Sequence, residues 1–384
     1  MQHKADLPAL TAVRFFAALA VFGFHFYPRG GIEGWLADAV EGGRSGVSLF
    51  FILSGFILVY AARPNDTARS FWIRRFARIY PMYFVAWLLF GCYLWLALAP
   101  TDFVRLLVFG GLPAALLLQS WLPKVAPVWN WPGWSLSTEA FFYSVFPLLY
   151  RWSTARKSLG SWLSVLLIAN LALLVLFQYL SAHVLPVELL RGTPLQTRWS
   201  SFLATFPLMF VSQFALGVVL GGMFLRRGPI HRGWWTIAAL ACVGVLAAPK
   251  EIVGVPRDAL LALVFCALVY SLASARMSDN LCSRALVLLG QASYSFYVLQ
   301  SPVWKLYCLA LDMDQKPTSL AQIGIFLVVL TALSIAGYSY IERPMERWIR
   351  SKVAQPISTR RQAGVEKQGP SLPSTEIVNS RNYQ

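Results

Sequence analysis

"LTAVRFFAALAVFGFHF", residues 10–26, is a run of leucine, alanine, valine and phenylalanine broken by Arg14 and His25. It is apolar enough to lie in lipid, where a charged side chain near the bilayer centre costs about 2.5 kcal/mol or more even on lenient insertion scales. Ionisable groups in such a segment mark a functional site by default. The bland alternative is that Arg14 snorkels to one interface and His25 sits wet at the other. The rest of the chain has to decide between them.

The chain has 384 residues, of which 57% are hydrophobic and 13% charged, and its mean hydropathy is +0.56. Soluble domains carry about 25% charged residues, so the expected fold is all-α, a polytopic integral membrane bundle. The net charge of +16 does not point to nucleic acid, because the basic residues cluster in short loops between apolar runs, as the positive-inside rule places them. Cys92, Cys242, Cys266, Cys282 and Cys308 are scattered without a CxxC pair, and four lie in apolar runs. They read as free, buried thiols, with neither a disulfide nor a metal site expected. No small-residue cleavage signal follows the first apolar stretch, so it reads as a retained span.

Runs long enough for about 30 Å of hydrocarbon fall at 8–27, 45–61, 80–99, 162–181, 202–225, 234–248, 258–275, 285–310 and 320–341. The loop with Arg63, Arg69, Arg74, Arg75 and Arg78 holds one acid, Asp66, which places it in the cytoplasm. The basic loops at 151–157, 226–232 and 276–284 and the tail after Arg343 belong on the same side. These assignments agree only if one crossing lies within 103–150. The run 138–150 with its flanks is the expected crossing, and 103–119 is then re-entrant or interfacial. The result is ten spans with both termini cytoplasmic, residues 1–350 forming one transmembrane domain. Residues 351–384 are polar and lack apolar periodicity, a composition expected of a disordered tail.

In this topology Arg14 sits in the inner half of the first span and His25 near the outer surface, about 16 Å further along the helix. "FWIRRFARIYPMY" puts Arg74, Arg75 and Arg78 at the inner mouth of another span. They read as topology anchors or as a clamp for phosphates, which suit guanidinium geometry. "WPGWSLSTEAFFYSVFP" opens an apolar run with Glu139. That residue is either a helix-start acid favoured by the dipole or, at the depth of His25, the partner that orients a general base. His3, His183 and His231 fall in terminal or loop positions and carry no chemistry.

"LTAVRFFAALAVFGFHF", "GVSLFFILSGFIL", "RRFARIYPMY", "WSLSTEAFFYSVFP", "FALGVVLGGM", "ASYSFYVLQSPV" and "YIERPMERW", in this order, resemble the blocks of acyltransferase family 3. The resemblance covers about residues 7–350. It implies a ten-span inner-membrane enzyme that moves an acyl group, often acetyl, from acyl-CoA to hydroxyls of extracytoplasmic glycans such as exopolysaccharide or lipopolysaccharide. Acyl-CoA is then a donor substrate, and no permanently bound cofactor is implied. By the same resemblance His25 is the catalytic base, and Arg14, Arg75 and Arg78 serve the donor. On the reading from span position, and not from the resemblance, Glu139 joins His25 as a catalytic residue that holds the ring tautomer or stabilises the imidazolium. The block "SYSFYVLQSPV" departs from the family in carrying Gln300 where many members have histidine, which removes a second titratable group there. Two rival readings remain open: an acyltransferase for a small lipid, glycolipid or antibiotic-like acceptor in place of a polymer, and a glycolipid transporter or flippase, although paired Gly/Pro-broken repeats are not visible.

Overall fold

A computed structural model describes residues 6–27, 33–63, 66–123, 125–126, 128–156, 158–180, 202–231, 233–248, 251–252, 255–277, 280–313 and 319–353. The tail was expected to begin at residue 351, but residues 351–353 complete the helix Arg343–Val353, a correction of that boundary; residues 354–384 lie outside the described residues, as do His3 and His183.

Among the described residues, ten principal helices occupy the ten expected runs. They are α1 (Pro8–Phe26), α2 (Gly46–Ala61), α3 (Ala68–Ala97), α4 (Trp134–Ala155), α5 (Leu159–Tyr179), α6 (Val211–Arg227), α7 (Trp234–Leu246), α8 (Arg257–Ser274), α9 (Leu281–Ala310) and α10 (Leu320–Gly337). Seven helical stretches among the described residues are long and apolar enough to cross a membrane: α1, Trp35–Ala61, α3, α5, Pro207–Arg227, α8 and Leu320–Lys352. The last is α10 extended through a π-helical turn, Tyr338–Glu342, into Arg343–Val353. The protein is thus a polytopic helical membrane protein. Helices α4 and α9 are long but bury polar side chains such as Ser137, Thr138, Ser295 and Gln300, which lowers their hydropathy. Helix α7 has 13 residues, about 20 Å of rise. The only strand pairing among the described residues is a two-residue antiparallel pair, Glu251–Ile252 with Val255–Pro256.

Local sequence sets the helix starts. Thr67, Asn280 and Ser319 cap α3, α9 and α10 by accepting from the backbone N–H three residues on, which satisfies one of the orphan donors of each first turn. The expected crossing at 138–150 proves to be the middle of α4, whose 22 residues rise about 33 Å. The run 103–119 is instead a broken helix, Pro100–Leu106, Leu107–Gly111 in π geometry and Leu112–Ala115. Trp87, Tyr83 and Tyr80 of α3 donate to the carbonyls of Gly111, Ala114 and Ala115 at 2.8, 2.7 and 3.1 Å, so this segment lies along α3.

Close helix approach comes from small residues, the usual device where lipid gives no hydrophobic driving force between helices. A Cβ added at Gly217 of α6 would lie 1.9 Å from the carbonyl oxygen of Ile52 in α2, and one at Gly290 of α9 would lie 2.0 Å from that of Thr11 in α1. Thr11 meets Gly290 and His25 meets Gln300, so α1 and α9 run in the same direction side by side. The largest core cluster packs Phe22, Phe26, Phe51, Phe142, Phe296 and Phe326 from these and neighbouring helices. The five cysteines are free. Cys242, Cys266 and Cys308 are buried as expected, but Cys92 on α3 and Cys282 in the first turn of α9 are exposed, a correction that follows for Cys92 from an apolar helix facing lipid on one side and for Cys282 from its place at a helix end.

Candidate functional site

Arg14 of α1 and Arg75 and Arg78 of α3 line one cavity of about 120 Å³, with Ser54 of α2 and Glu139 and Tyr143 of α4. That is room for several waters. The three arginines singled out in the sequence are therefore brought together, and Glu139 joins them. Arg78 is already engaged. Its guanidinium lies 3.3 Å from Glu342 Oε1 and donates to Glu346 Oε2 at 3.1 Å, and Ser295 Oγ donates to the other Glu342 oxygen at 3.0 Å. Glu346 also holds Arg350 at 2.5 Å.

Arg14 and Arg75 are different. Among the described residues no hydrogen bond claims Arg14, whose charge meets Arg78, Glu342, Glu139 and Tyr143 only through space. Arg75 Nε is buried without a partner, and its guanidinium lies 5.8 Å from the Phe71 ring. Glu139 is the one carboxylate lining this cavity, and it is itself held by Ser54 Oγ at 3.1 Å and by the Tyr143 hydroxyl. Positive charge is in surplus where lipid excludes water, and such a site favours an anion.

Glu342 was not among the site residues the sequence suggested. It is fully buried and belongs to the π turn that precedes Pro344. Proline has no N–H and its ring crowds the preceding turn, and π turns at functional sites often absorb such a defect. The signal was available in "YIERP", a lone acid at the end of an apolar run.

His25 lies near the end of α1. Its Nδ1 is 3.3 Å from Gln300 Oε1, and Gln300 is fully buried. The Gln300 amide nitrogen donates to the Tyr297 carbonyl at 3.0 Å, which turns the amide oxygen toward histidine as an acceptor. This arrangement assigns the proton of a neutral imidazole to Nδ1 and leaves Nε2 with its lone pair.

Glu139 does not meet His25, which corrects the expected pairing. Ser135, four residues before Glu139, shares a 2.8 Å hydrogen bond with the Tyr297 hydroxyl. Tyr297 in turn is one helical turn before Gln300. Glu139 therefore lies about 10 Å deeper than the ring, where Ser54 and Tyr143 hold it at the arginine cavity. The histidine's orienting partner is the glutamine that stands where a second histidine was expected.

Tyr297 connects the two regions. It lines the arginine cavity, its hydroxyl donates to the Pro132 carbonyl at 3.2 Å, and its own carbonyl holds Gln300. The Trp/Pro-rich stretch before α4 supplies that Pro132 carbonyl. It also supplies Asn130, which adopts a left-handed backbone with φ of 44° and donates from its side chain to the Val298 carbonyl at 3.3 Å. His231 stays outside the site, its Nδ1 accepting from Gly233 N–H at 3.2 Å within a turn.

Comparison with known proteins gives the same direction. A family model described as an Acyltransferase domain matches residues 7–339. The chain is 32% identical to acyltransferase MdmB of Streptomyces mycarofaciens over 92% of this chain and 94% of that protein. It is 28% identical to the exopolysaccharide production protein ExoZ of Rhizobium meliloti, over 81% of this chain and 92% of that one. A shorter match, 26% identical over 38% of this chain and 24% of the relative, is to Bacillus subtilis YrhL, named for peptidoglycan O-acetyltransferase. No solved structure matches the chain.

Proposed function

The chain belongs to the Acyltransferase domain family, acyltransferase family 3, and on that premise we propose that it is a multi-pass inner-membrane O-acyltransferase. It takes an acyl group, acetyl above all, from cytoplasmic acyl-CoA and delivers it to a hydroxyl of an extracytoplasmic glycan. The observation that carries the reading is the hydrogen-bonded line from His25 through Gln300 to Tyr297, which ends at a cavity lined by Arg14 and by Arg75, whose buried Nε has no partner among the described residues.

Each end suits one substrate. Arg14 and Arg75 offer guanidinium forks to the anionic phosphates of acyl-CoA, while Arg78 is fixed by Glu342 and Glu346 and shapes the wall. The extended pantetheine arm reaches toward His25. The imidazole Nε2 accepts the proton of the attacking hydroxyl as its oxygen bonds to the thioester carbonyl carbon. The C–S bond then breaks, and the thiolate leaves with that proton, giving an ester and free CoA thiol. Gln300 keeps Nδ1 protonated through this cycle. Glu139 balances Arg14 and does not serve the imidazole. The glycan acceptor follows the names of ExoZ and YrhL.

The test is direct. Surface glycan from cells with and without this chain is scored for ester-linked acyl groups, and purified protein is supplied with acyl-labelled acyl-CoA and that glycan. Ester formation that disappears in His25→Ala supports the reading. Ester formation undiminished in His25→Ala removes the base assignment.

A further inference from the structure

A second feature lies on the side of the bundle away from the arginine cavity. Helices α6, α7 and α8 enclose a groove of about 610 Å³ walled by apolar side chains, among them Ile237, Ala241, Leu263 and Val264. Arg227, the last residue of α6, stands at one end, and Trp234 opens α7 beside it. Trp234 is 53% exposed, an indole where ring and N–H suit a membrane–water boundary. Helix α7 rises only about 20 Å, short of the hydrocarbon thickness, and a short helix is accommodated by the lipid around it.

The two segments that lead into α5 and α7 are strongly basic. Between Glu139 and Glu251 the sequence contains a single acid, Glu188, while 151–157 and 226–232 carry Arg151, Arg156, Lys157, Arg226, Arg227 and Arg232. Arg226 is used structurally, donating to the carbonyls of Arg156, Ser153 and Thr154 at 2.5, 2.9 and 3.3 Å where α4 ends. Arg227 is exposed and reaches the first turn of α5, its Nη2 within 3.8 Å of a Cβ built at Gly160. A guanidinium beside the N-terminal turn of a 21-residue helix adds two attractions for one phosphate, the fixed charge and the helix dipole.

We infer that this groove is a binding site for an anionic phospholipid, with an acyl chain between α6, α7 and α8 and the phosphodiester on Arg227 at the first turn of α5. Basic pockets between membrane helices hold anionic headgroups in this manner. The site is separate from the arginine cavity, and the inference stands whether or not the acyl-transfer reading does.

The experiment titrates the purified full chain in detergent with phosphatidylglycerol, with phosphatidylcholine and with inorganic phosphate. It reads the thermal midpoint by tryptophan fluorescence and bound lipid by native mass spectrometry. Phosphatidylglycerol is expected to bind about fivefold tighter than phosphatidylcholine, equivalent to about 1 kcal/mol for one arginine near the surface, and inorganic phosphate alone to shift nothing. Arg227→Gln should erase the preference and retain weak binding of both lipids. Ala241→Phe, which fills the groove from an exposed position, should abolish binding of both. Arg105→Gln, on an exposed arginine of the Pro100–Leu106 segment beside α3, should leave the preference intact. Equal binding of the two lipids, a preference retained in Arg227→Gln, a preference equally lost in Arg105→Gln, or a shift by phosphate matching that of phosphatidylglycerol would each overturn the site.

Discussion

Gln300 Oε1 stands 3.3 Å from His25 Nδ1, and the same glutamine's amide nitrogen is tied to the Tyr297 carbonyl. An amide cannot titrate, so this pair fixes the ring without competing for its proton. Replacing Gln300 by leucine removes the acceptor and frees the imidazole to adopt the other tautomer. Gln300→Leu is expected to lower kcat about tenfold to a hundredfold with little change in the KM for acyl-CoA. Gln300→Glu, which keeps an acceptor oxygen at the same reach, should recover part of the loss. Steady-state kinetics on the purified variants measures both. A KM effect with unchanged kcat would assign Gln300 to packing.

Among the described residues Arg14 has no hydrogen-bonding partner and faces a cavity with one lining carboxylate, so little of its cost is recovered until an anion arrives. Arg14→Ala is therefore expected to raise the dissociation constant for acyl-CoA about tenfold or more while leaving folding intact. Arg14→Lys should restore part of the affinity, because an ammonium supplies the charge without the two-pronged donor geometry. Isothermal titration with a non-hydrolysable acyl-CoA analogue decides it. Unchanged affinity in Arg14→Ala would leave the donor site unlocated.

Sidedness follows from the arginine-rich loops. Leu36 and Arg63 are exposed at opposite ends of the stretch that runs through α2. With the exposed Cys92 and Cys282 replaced, Leu36→Cys should react with a membrane-impermeant maleimide added outside intact cells, and Arg63→Cys only after permeabilisation. Reaction of both from one side would overturn the orientation and, with it, the assignment of His25 to the outer face.

The sequence carried the helices because hydrophobic runs near 20 residues are a strong signal, and even the weak run at 138–150 was recoverable from loop charge. It carried the arginines and His25 because ionisable groups in apolar surroundings are conspicuous. It did not carry their pairing. Glu139 and His25 looked level because both were counted from span ends, yet α4 begins at Trp134, so Glu139 is already more than a turn inside. Gln300 was noticed only as a missing histidine, since an amide among apolar residues attracts no charge argument, and Glu342 was passed over although a lone acid at the end of an apolar run was visible in "YIERP". The π turn that buries Glu342 depends on how the chain absorbs Pro344, which residue spacing alone does not reveal.

Arg78 should behave unlike the other two arginines, although the sequence grouped them. Its side chain is 23% exposed and that of Glu342 is fully buried, so deleting the arginine strands a carboxylate with Ser295 as its remaining hydrogen-bond donor. Breaking a buried pair by removing one partner costs about 3 kcal/mol or more, because the other charge is left uncompensated. Arg78→Ala is therefore expected to lower the thermal midpoint and the yield of folded protein, where Arg14→Ala changes affinity alone. The companion variant separates charge from shape. Glu342→Gln in the Arg78→Ala background removes the stranded charge, keeps an acceptor for Ser295, and should recover much of the lost stability without recovering acyl-CoA binding beyond that of Arg78→Ala. Thermal unfolding of the single and double variants in one detergent gives the coupling. Additive losses would mean that Arg78 and Glu342 act independently and that the π turn positions Glu342 for some task other than holding the arginine in the cavity wall.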